Sequence, residues 1–583
     1  MAEGAVSSTL VGSASQAAQQ LKGPETVLLQ EVLMPFQEAY VRKDVLLSEG
    51  LISKIADSGS LTSSHGLAIN CRERLLLPGF VNAHTHSIEH WAKGLIKPLP
   101  LELWVQQLLR NEPRGVKGWH GESSFVSTPA HAVGLSAMHC GVESLLSGCT
   151  AIMDHVFVRH MDDLASVVDA YKAIGIRAFI APMLNDDSEM YTNYIPLVPD
   201  AESRNDCNGC TCGGMGQGGK FRIQKSASDP KKTAECMQLW EEAVKRFHDP
   251  DGGIEIVVGP VTVYSASETL LRGAAELRKK YNLCGHTHLL ETRSQALQAR
   301  QWFESGSAVK QLLDTGFLHG RGTSLAHSIW LDEEEQKLCA EAGAVLVHNP
   351  LSNLRLGSGV APLLGYAAKE MYVAIGCDGS CSSDGQDFLE ALKLASFLPR
   401  VATSEYRQWP SARHMALTNA SKHGYVGIGM DQKGGELKEG MVADVSLWDL
   451  SSLALLPRTD PINLLVMGSR TQAPGAGSTL ADMWVRGVRV IQDGSPCGVD
   501  LKRLRVLLAE AQKHYRDPEM TDPRASVETA SFETEYRAAL QLDGTTSGKG
   551  ESFPLNRVLY SSNLEAAREY VNSGVPEKRQ RLQ

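Results

Sequence analysis

Leu75-Leu76-Leu77-Pro78-Gly79-Phe80-Val81-Asn82-Ala83-His84-Thr85-His86 runs from an apolar stretch into two histidines one residue apart. Side chains alternate faces along a strand, so His84 and His86 point the same way, about 7 Å apart along the backbone. Two imidazoles on one face at a strand end can grip a single metal ion. Alone the pair is a weak signal, because core and surface histidines produce it by chance. Further apolar runs close in the same manner: Cys284-Gly285-His286-Thr287-His288-Leu289-Leu290-Glu291-Thr292, Ser324-Leu325-Ala326-His327, Val345-Leu346-Val347-His348-Asn349-Pro350 and Val373-Ala374-Ile375-Gly376-Cys377-Asp378-Gly379.

Working outward, strands alternate with helical segments from Phe80 to about Leu398, the texture of βα units around a parallel sheet or barrel. One helix has Ser127-Thr128-Pro129 as its start and Gly148 as its end. Another starts at Ser265, with Glu268 completing a capping box. Strand-like runs flank this region: Val27-Leu28-Leu29, Asp44-Val45-Leu46-Leu47 and Leu51-Ile52 before it, Ala443 to Trp448 and Met483 to Gly487 after it. The fold class is therefore α/β: a (β/α)8 TIM-like barrel over 78–429 and a composite β-sandwich domain built from 26–77 plus 430–498. Residues 1–25 read as a disordered leader. The glycine-rich stretch at about 200–232, with Cys207, Cys210 and Cys212, reads as a loop insertion; three cysteines fall short of the four ligands of a structural zinc site. The tail, 499–583, reads as a helical extension with helices at Leu501 to Tyr515 and Phe532 to Leu542.

At 583 residues, 43% hydrophobic and 21% charged, the chain has the balance of a soluble globular protein. A formal charge of −10 argues against nucleic acid or an anionic membrane as the main partner. No apolar stretch approaches the roughly 18 residues of a membrane span. The 12 cysteines are scattered, several within apolar runs, which suits reduced thiols and a cytoplasmic location.

In a (β/α)8 barrel the C-terminal strand ends converge on one mouth, where active sites of this fold lie. Histidines and an aspartate gathered there suit one divalent ion, Zn²⁺ first and Fe²⁺ second. An open position on such an ion holds water whose pKa falls to roughly 7.

These strings, from Pro78-Gly79-Phe80-Val81-Asn82-Ala83-His84-Thr85-His86 through His288, Glu291, His327 and His348-Asn349-Pro350-Leu351-Ser352-Asn353 to Asp378-Gly379, resemble the amidohydrolase superfamily. The resemblance spans about Thr26 to Gly494. It is closest to the mononuclear-metal branch of S-adenosylhomocysteine/5′-methylthioadenosine deaminases and triazine hydrolases. It implies His84, His86, His288 and Asp378 as metal ligands, and Glu291 as proton shuttle. It also implies His327 as the group that orients the attacking hydroxide, and Asp378 as acceptor of a proton from water. The two-metal branch needs a bridging lysine near the end of strand four; Ile254 to Val261 contains none. The implied activity is deamination of a heteroaromatic amine, of purine, pterin, pyrimidine or triazine type. Hydrolysis of a cyclic amide or of another ring substituent uses the same machinery. A scaffold that had lost its chemistry would lack several of these residues, and none is missing here.

The resemblance also has departures. Adenosine-type deaminases carry a histidine after the strand-four Gly-Pro, where this chain has Val261. Their ribose-gripping acid falls near Glu112-Pro113, shifted by one. Both differences point to a free heteroaromatic amine rather than a nucleoside. His286 reads as a supporting or packing residue. His348 either braces its turn or touches substrate, and Trp104 either walls the pocket or packs in a helix. His155 is the remaining histidine with the best claim on the site. The expected partner is a small-molecule substrate, with a homodimer as the expected assembly.

Overall fold

The computed structural model describes residues 13–515 except 63–65, 95, 97–98, 111–129, 159, 188–196, 200–220, 224–227 and 469–478. Eight parallel strands position the site: β1 (Phe80–Thr85), β2 (Cys149–Val156), β3 (Arg177–Leu184), β4 (Ile254–Ile256), β5 (Gly285–Leu289), β6 (Thr323–His327), β7 (Val345–His348) and β8 (Tyr372–Ile375). Every residue of β1 and β2 is buried. Burial on both faces is why these strands read as continuous apolar runs rather than alternating ones.

The strands pair in two runs, β4-β3-β2-β1 and β5-β6-β7-β8. Parallel bridges from Val258 to Gly285 and from Thr262 to His288 join the runs on one side. On the other, the Asp378 N–H donates to the His84 carbonyl at 2.9 Å. Crossover helices such as Ala130–Leu146, Met161–Ile174 and Glu268–Tyr281 connect successive strands, as parallel pairing requires. Val81, Ala83, Met153, Phe179, Val257 and Val347 form one apolar cluster with Tyr425, Ile428 and Met430.

Both ends of this region feed a single nine-stranded sheet. Val27–Phe36, Ala39–Ser48, Leu51–Asp57, Leu67–Asn70 and Arg74–Pro78 come from before it, and Val445–Asp449, Leu480–Val485, Val488–Gln492 and Ser495–Pro496 from after it. The seam is the antiparallel pairing of Arg74–Pro78 with Val445–Asp449, Leu76 opposite Leu447.

Several boundaries differ from the sequence reading. The helix expected from Ser265 is capped by Ser267, which accepts from the Leu270 N–H. Ser265 is instead held in the preceding turn by Thr262, Oγ to Oγ at 3.1 Å. Within the expected leader, Ala14–Gln16 form a 3₁₀ turn, Ala17 is buried and Ala18 bridges Val499; residues 1–12 lie outside the described residues. Leu197–Pro199 and Phe221–Ile223 pair as an antiparallel ladder at the two sides of the cysteine-rich stretch. A helix capped by Asp229 starts at Pro230, inside the expected insertion boundary. Cys207, Cys210, Cys212, Glu112, Pro113 and the cap at Ser127-Thr128-Pro129 fall outside the described residues. The helix Leu501–Tyr515 stands where it was expected, whereas Phe532 to Leu542 lies outside. Among the described residues, no helix is long and apolar enough to cross a membrane.

Candidate active site

His84 lies near the end of β1 and His86 directly follows it, His288 lies in β5, His327 closes β6, and Asp378 follows β8. Backbone strain gathers at these strand ends. Leu290, His327, Ser328 and Asp378 have φ of +45°, +69°, +49° and +62°, a region non-glycine residues rarely adopt and one enriched at functional sites.

The structure brings the candidate residues together. Oδ1 of Asp378 lies 3.3 Å from His84 Nε2 and 3.4 Å from His86 Nε2. His86 Nε2 is 3.1 Å from His288 Nε2. His327 Nε2 stands between two carboxylates, 3.6 Å from Glu291 and 3.7 Å from Asp378 Oδ2.

The opposite ring nitrogens explain this convergence. His86 Nδ1 donates to the His155 carbonyl at 2.5 Å and His288 Nδ1 to the Val261 carbonyl at 2.6 Å. His327 Nδ1 donates to Asn353 Oδ1 at 2.8 Å. An acceptor at Nδ1 fixes the proton there and leaves the Nε2 lone pair facing the centre. His84 is held through a relay, Nδ1 to His286 Nε2 at 2.8 Å and His286 Nδ1 to Ser324 Oγ at 2.7 Å. Its Nε2 is buried without an aligned hydrogen-bond partner. A buried, unsatisfied lone pair beside a carboxylate and two further imidazoles fits a divalent cation.

The electrostatics differ among the candidate ligands: burial lowers His86, but Glu89 and Asp378 outweigh it and leave its pKa raised. Burial drives His288 well below its ordinary pKa, neighbouring histidines adding to the shift, so it is neutral, as a ligand must be. Burial alone would raise Asp378, but the surrounding histidines, His84 foremost, hold it well below the usual carboxylate range. Glu291 goes the other way: burial raises it and Asp378 adds to this, against the opposing pull of His327. The two carboxylates are thus shifted in opposite directions, the division acid–base chemistry needs.

A cleft opens over these groups. Ile88, Leu101, Trp104, Val105, Leu108, Phe157 and Met183 make it largely apolar, and Val261 forms part of its wall. Trp104 therefore faces the cleft. His348 is buried away from the cleft lining, with Asn353 as neighbour, and it braces its turn.

Sequence reasoning undervalued two groups. His155 is fully buried, its carbonyl pins His86, and its Nε2 faces the Gly259 carbonyl at 3.2 Å. Asp154 accepts from the Ser87 N–H and hydroxyl at 3.0 and 2.6 Å and from Tyr171 at 2.8 Å, fixing the chain just past His86. The usable signal for both was a polar pair closing the apolar run Thr150-Ala151-Ile152-Met153.

The chain belongs to the amidohydrolase family, which it matches over residues 75–486, and it is an enzyme that hydrolyses carbon–nitrogen bonds other than peptide bonds. It is 28% identical to the 5-methylthioadenosine/S-adenosylhomocysteine deaminase of Pyrococcus furiosus, over 78% of this chain and 92% of that protein. Against the 5′-deoxyadenosine deaminase of Methanopyrus kandleri the identity is 26%, over 72% and 82%. The fold is shared with the atrazine chlorohydrolase of Arthrobacter aurescens complexed with zinc, at 22% identity, a TM-score of 0.69 and coverage of 83% and 99%. It is also shared with a zinc-bound adenosine deaminase of Xanthomonas campestris, at 20% identity, a TM-score of 0.66 and coverage of 84% and 99%.

Proposed function

We propose that the protein deaminates a small heteroaromatic amine by hydrolysis, using one divalent ion, zinc before iron, held by His84, His86, His288 and Asp378. The observation that carries the reading is the meeting of these four side chains beside Glu291 and His327 in one apolar cleft. The eight strands are read as a closed (β/α)8 barrel, which the bridges between β4's extension and β5 and the Asp378–His84 hydrogen bond support. The nine-stranded sheet is read as the composite sandwich domain. The enzyme is expected to be cytoplasmic and a homodimer.

A divalent ion held by His84, His86, His288 and Asp378 would lower the pKa of a bound water toward about 7 and so would supply a nucleophile at neutral pH. Asp378, ionised, takes the proton that water gives up. Glu291, in its acid form, protonates the ring nitrogen next to the carbon bearing the amino group. His327, fixed by Asn353, aligns the incoming oxygen from between the two carboxylates. The departing nitrogen leaves as ammonia with the proton collected by Asp378, while the added hydroxyl returns its remaining proton to Glu291 and the product carries a carbonyl oxygen and a ring N–H. Each mole of substrate thus consumes one water and releases one ammonia.

A second reading, deamination of a 5′-substituted adenosine, is favoured by what the relatives are named for. Val261 and the apolar lining favour the free heterocycle, because an apolar wall leaves a polar ribose group unpartnered, at about 1–3 kcal/mol. The test is kcat/KM for ammonia release from purines, pterins, pyrimidines and triazines beside S-adenosylhomocysteine and 5′-methylthioadenosine. The free bases should exceed the thioethers by about ten- to a hundredfold. A thioether ahead by a wide margin favours the second reading, and no ammonia from any of them overturns both.

A further inference from the structure

The cleft contains a carboxyl group that the reaction above does not use. Glu89 stands on the 3₁₀ turn Ser87–Ala92, immediately past β1. It is only 6% exposed, yet it lines the cleft beside His86 and Asp378. Its carboxyl lies over Gly379, where a Cβ would come within 1.7 Å of Oε2. Any side chain at position 379 would therefore displace it, and glycine keeps its place open.

Its protein partners are few. Oε2 accepts from the Cys381 thiol at 3.1 Å, and the Cys381 backbone N–H also faces the carboxyl. Neither of these hydrogen-bond partners is a cation, Cys381 belongs to the turn that follows Asp378, and the opposing charge the carboxyl feels is that of the His86 imidazole. Acidic groups are rarely buried to this degree without a partner of opposite charge. Burial pushes its pKa up to about 7.

Among the described residues, the cleft's other polar groups outside the reaction are already engaged. Thr262 Oγ1 accepts from the backbone N–H of Tyr264 and Ser265, Gln295 Oε1 accepts from the Glu291 N–H, and the Ser382 hydroxyl donates to the Gly379 carbonyl. Glu89 is left as the acceptor facing the substrate space. Beside the oxygen engaged by Cys381, the carboxyl offers a second acceptor atom in the same plane, the complement of an N–H donor on a planar heterocycle.

Resting on the deaminase reading, we propose that Glu89 is a substrate-binding residue that accepts a hydrogen bond from a second N–H donor of the heterocycle. It thereby selects diamino-type heteroaromatic substrates over their mono-amino counterparts. Substrates bearing an anion at that edge are disfavoured, since Glu89 and Asp378 face the same space.

The test uses zinc-loaded full-length enzyme and its Glu89→Met and Glu89→Gln variants. Calorimetry measures Kd for 2,6-diaminopurine against adenine and for 2,4-diaminopyrimidine against 4-aminopyrimidine. Steady-state ammonia release and zinc content are measured on the same samples. The wild-type enzyme should prefer the diamino member of each pair by about ten- to a hundredfold. Glu89→Met should bring that ratio close to one, Glu89→Gln should leave an intermediate ratio, and both should keep their zinc. A wild-type ratio near one, an undiminished ratio in Glu89→Met, or loss of zinc from both variants overturns the assignment. Ammonia release without a diamino preference removes the role of Glu89 and leaves deamination standing. A Glu89-dependent binding preference without ammonia release from any compound does the reverse.

Discussion

Glu291 and Asp378 are both buried carboxylates at one mouth, and what separates them is their company. Asp378 is surrounded by imidazoles and held low, while burial raises Glu291 against the pull of His327, with Ser358 as a hydroxyl donor at 3.0 Å. Glu291→Gln keeps the size and removes the transferable proton. It should retain zinc and lose about 10²–10⁴-fold in kcat, the usual worth of an acid–base step; steady-state kinetics with elemental analysis reads both. His286 acts through His84, so His286→Leu should weaken zinc about 10–100-fold, measured by competition with a chelator, while the fold persists. The ligand candidates were legible in the sequence because each closes an apolar run, a pattern the strand period generates. Glu89 was not, because nothing local marks a residue whose role comes from what the turn after β8 brings against it.

At the scale of elements, the helix Leu101–Arg110 supplies much of the cleft's apolar wall through Leu101, Trp104, Val105 and Leu108. It is tied to the shuttle by side chains: the Thr292 hydroxyl donates to Glu102 at 2.6 Å, Thr292 Oγ1 accepts the Gln295 N–H at 3.3 Å, and Gln295 Oε1 accepts the Glu291 N–H at 2.8 Å. Thr292→Val removes this link while keeping the volume. A hydrogen bond to a group of this kind is worth about 1.5–3 kcal/mol, so KM should rise about tenfold or more with zinc content unchanged. Helical spacing located the helix Glu268–Tyr281, but its start depends on which hydroxyl reaches the free N–H groups. Ser267 outcompetes Ser265 because it also contacts Asp186 at 2.5 Å, a contact 81 residues away that local sequence does not encode.

Across the whole molecule, Asp444 joins the nine-stranded sheet to the parallel strands. It takes the Arg177 guanidinium from β3 at 2.8 and 3.2 Å, the Tyr425 hydroxyl at 2.8 Å and the Arg486 N–H at 2.6 Å. Both charges of the pair are buried. Asp444→Ala strands the guanidinium and should destabilise the protein by about 3–5 kcal/mol, whereas Arg177→Met with Asp444→Leu should lose much less; calorimetric Tm values of the two variants check this. Apolar runs at both chain ends made the assembly of the sheet legible. The ion pair that docks it was not, since 267 residues separate its partners.

The central claim is a single metal serving a deamination. Protein stripped of metal by a chelator is titrated with zinc while ammonia release from the best substrate in the panel is followed. Activity should be absent at the start, rise linearly and saturate at one equivalent per chain, and His288→Asn should give no rise at one equivalent. Full activity in metal-free protein, or saturation only at two equivalents, would contradict the account.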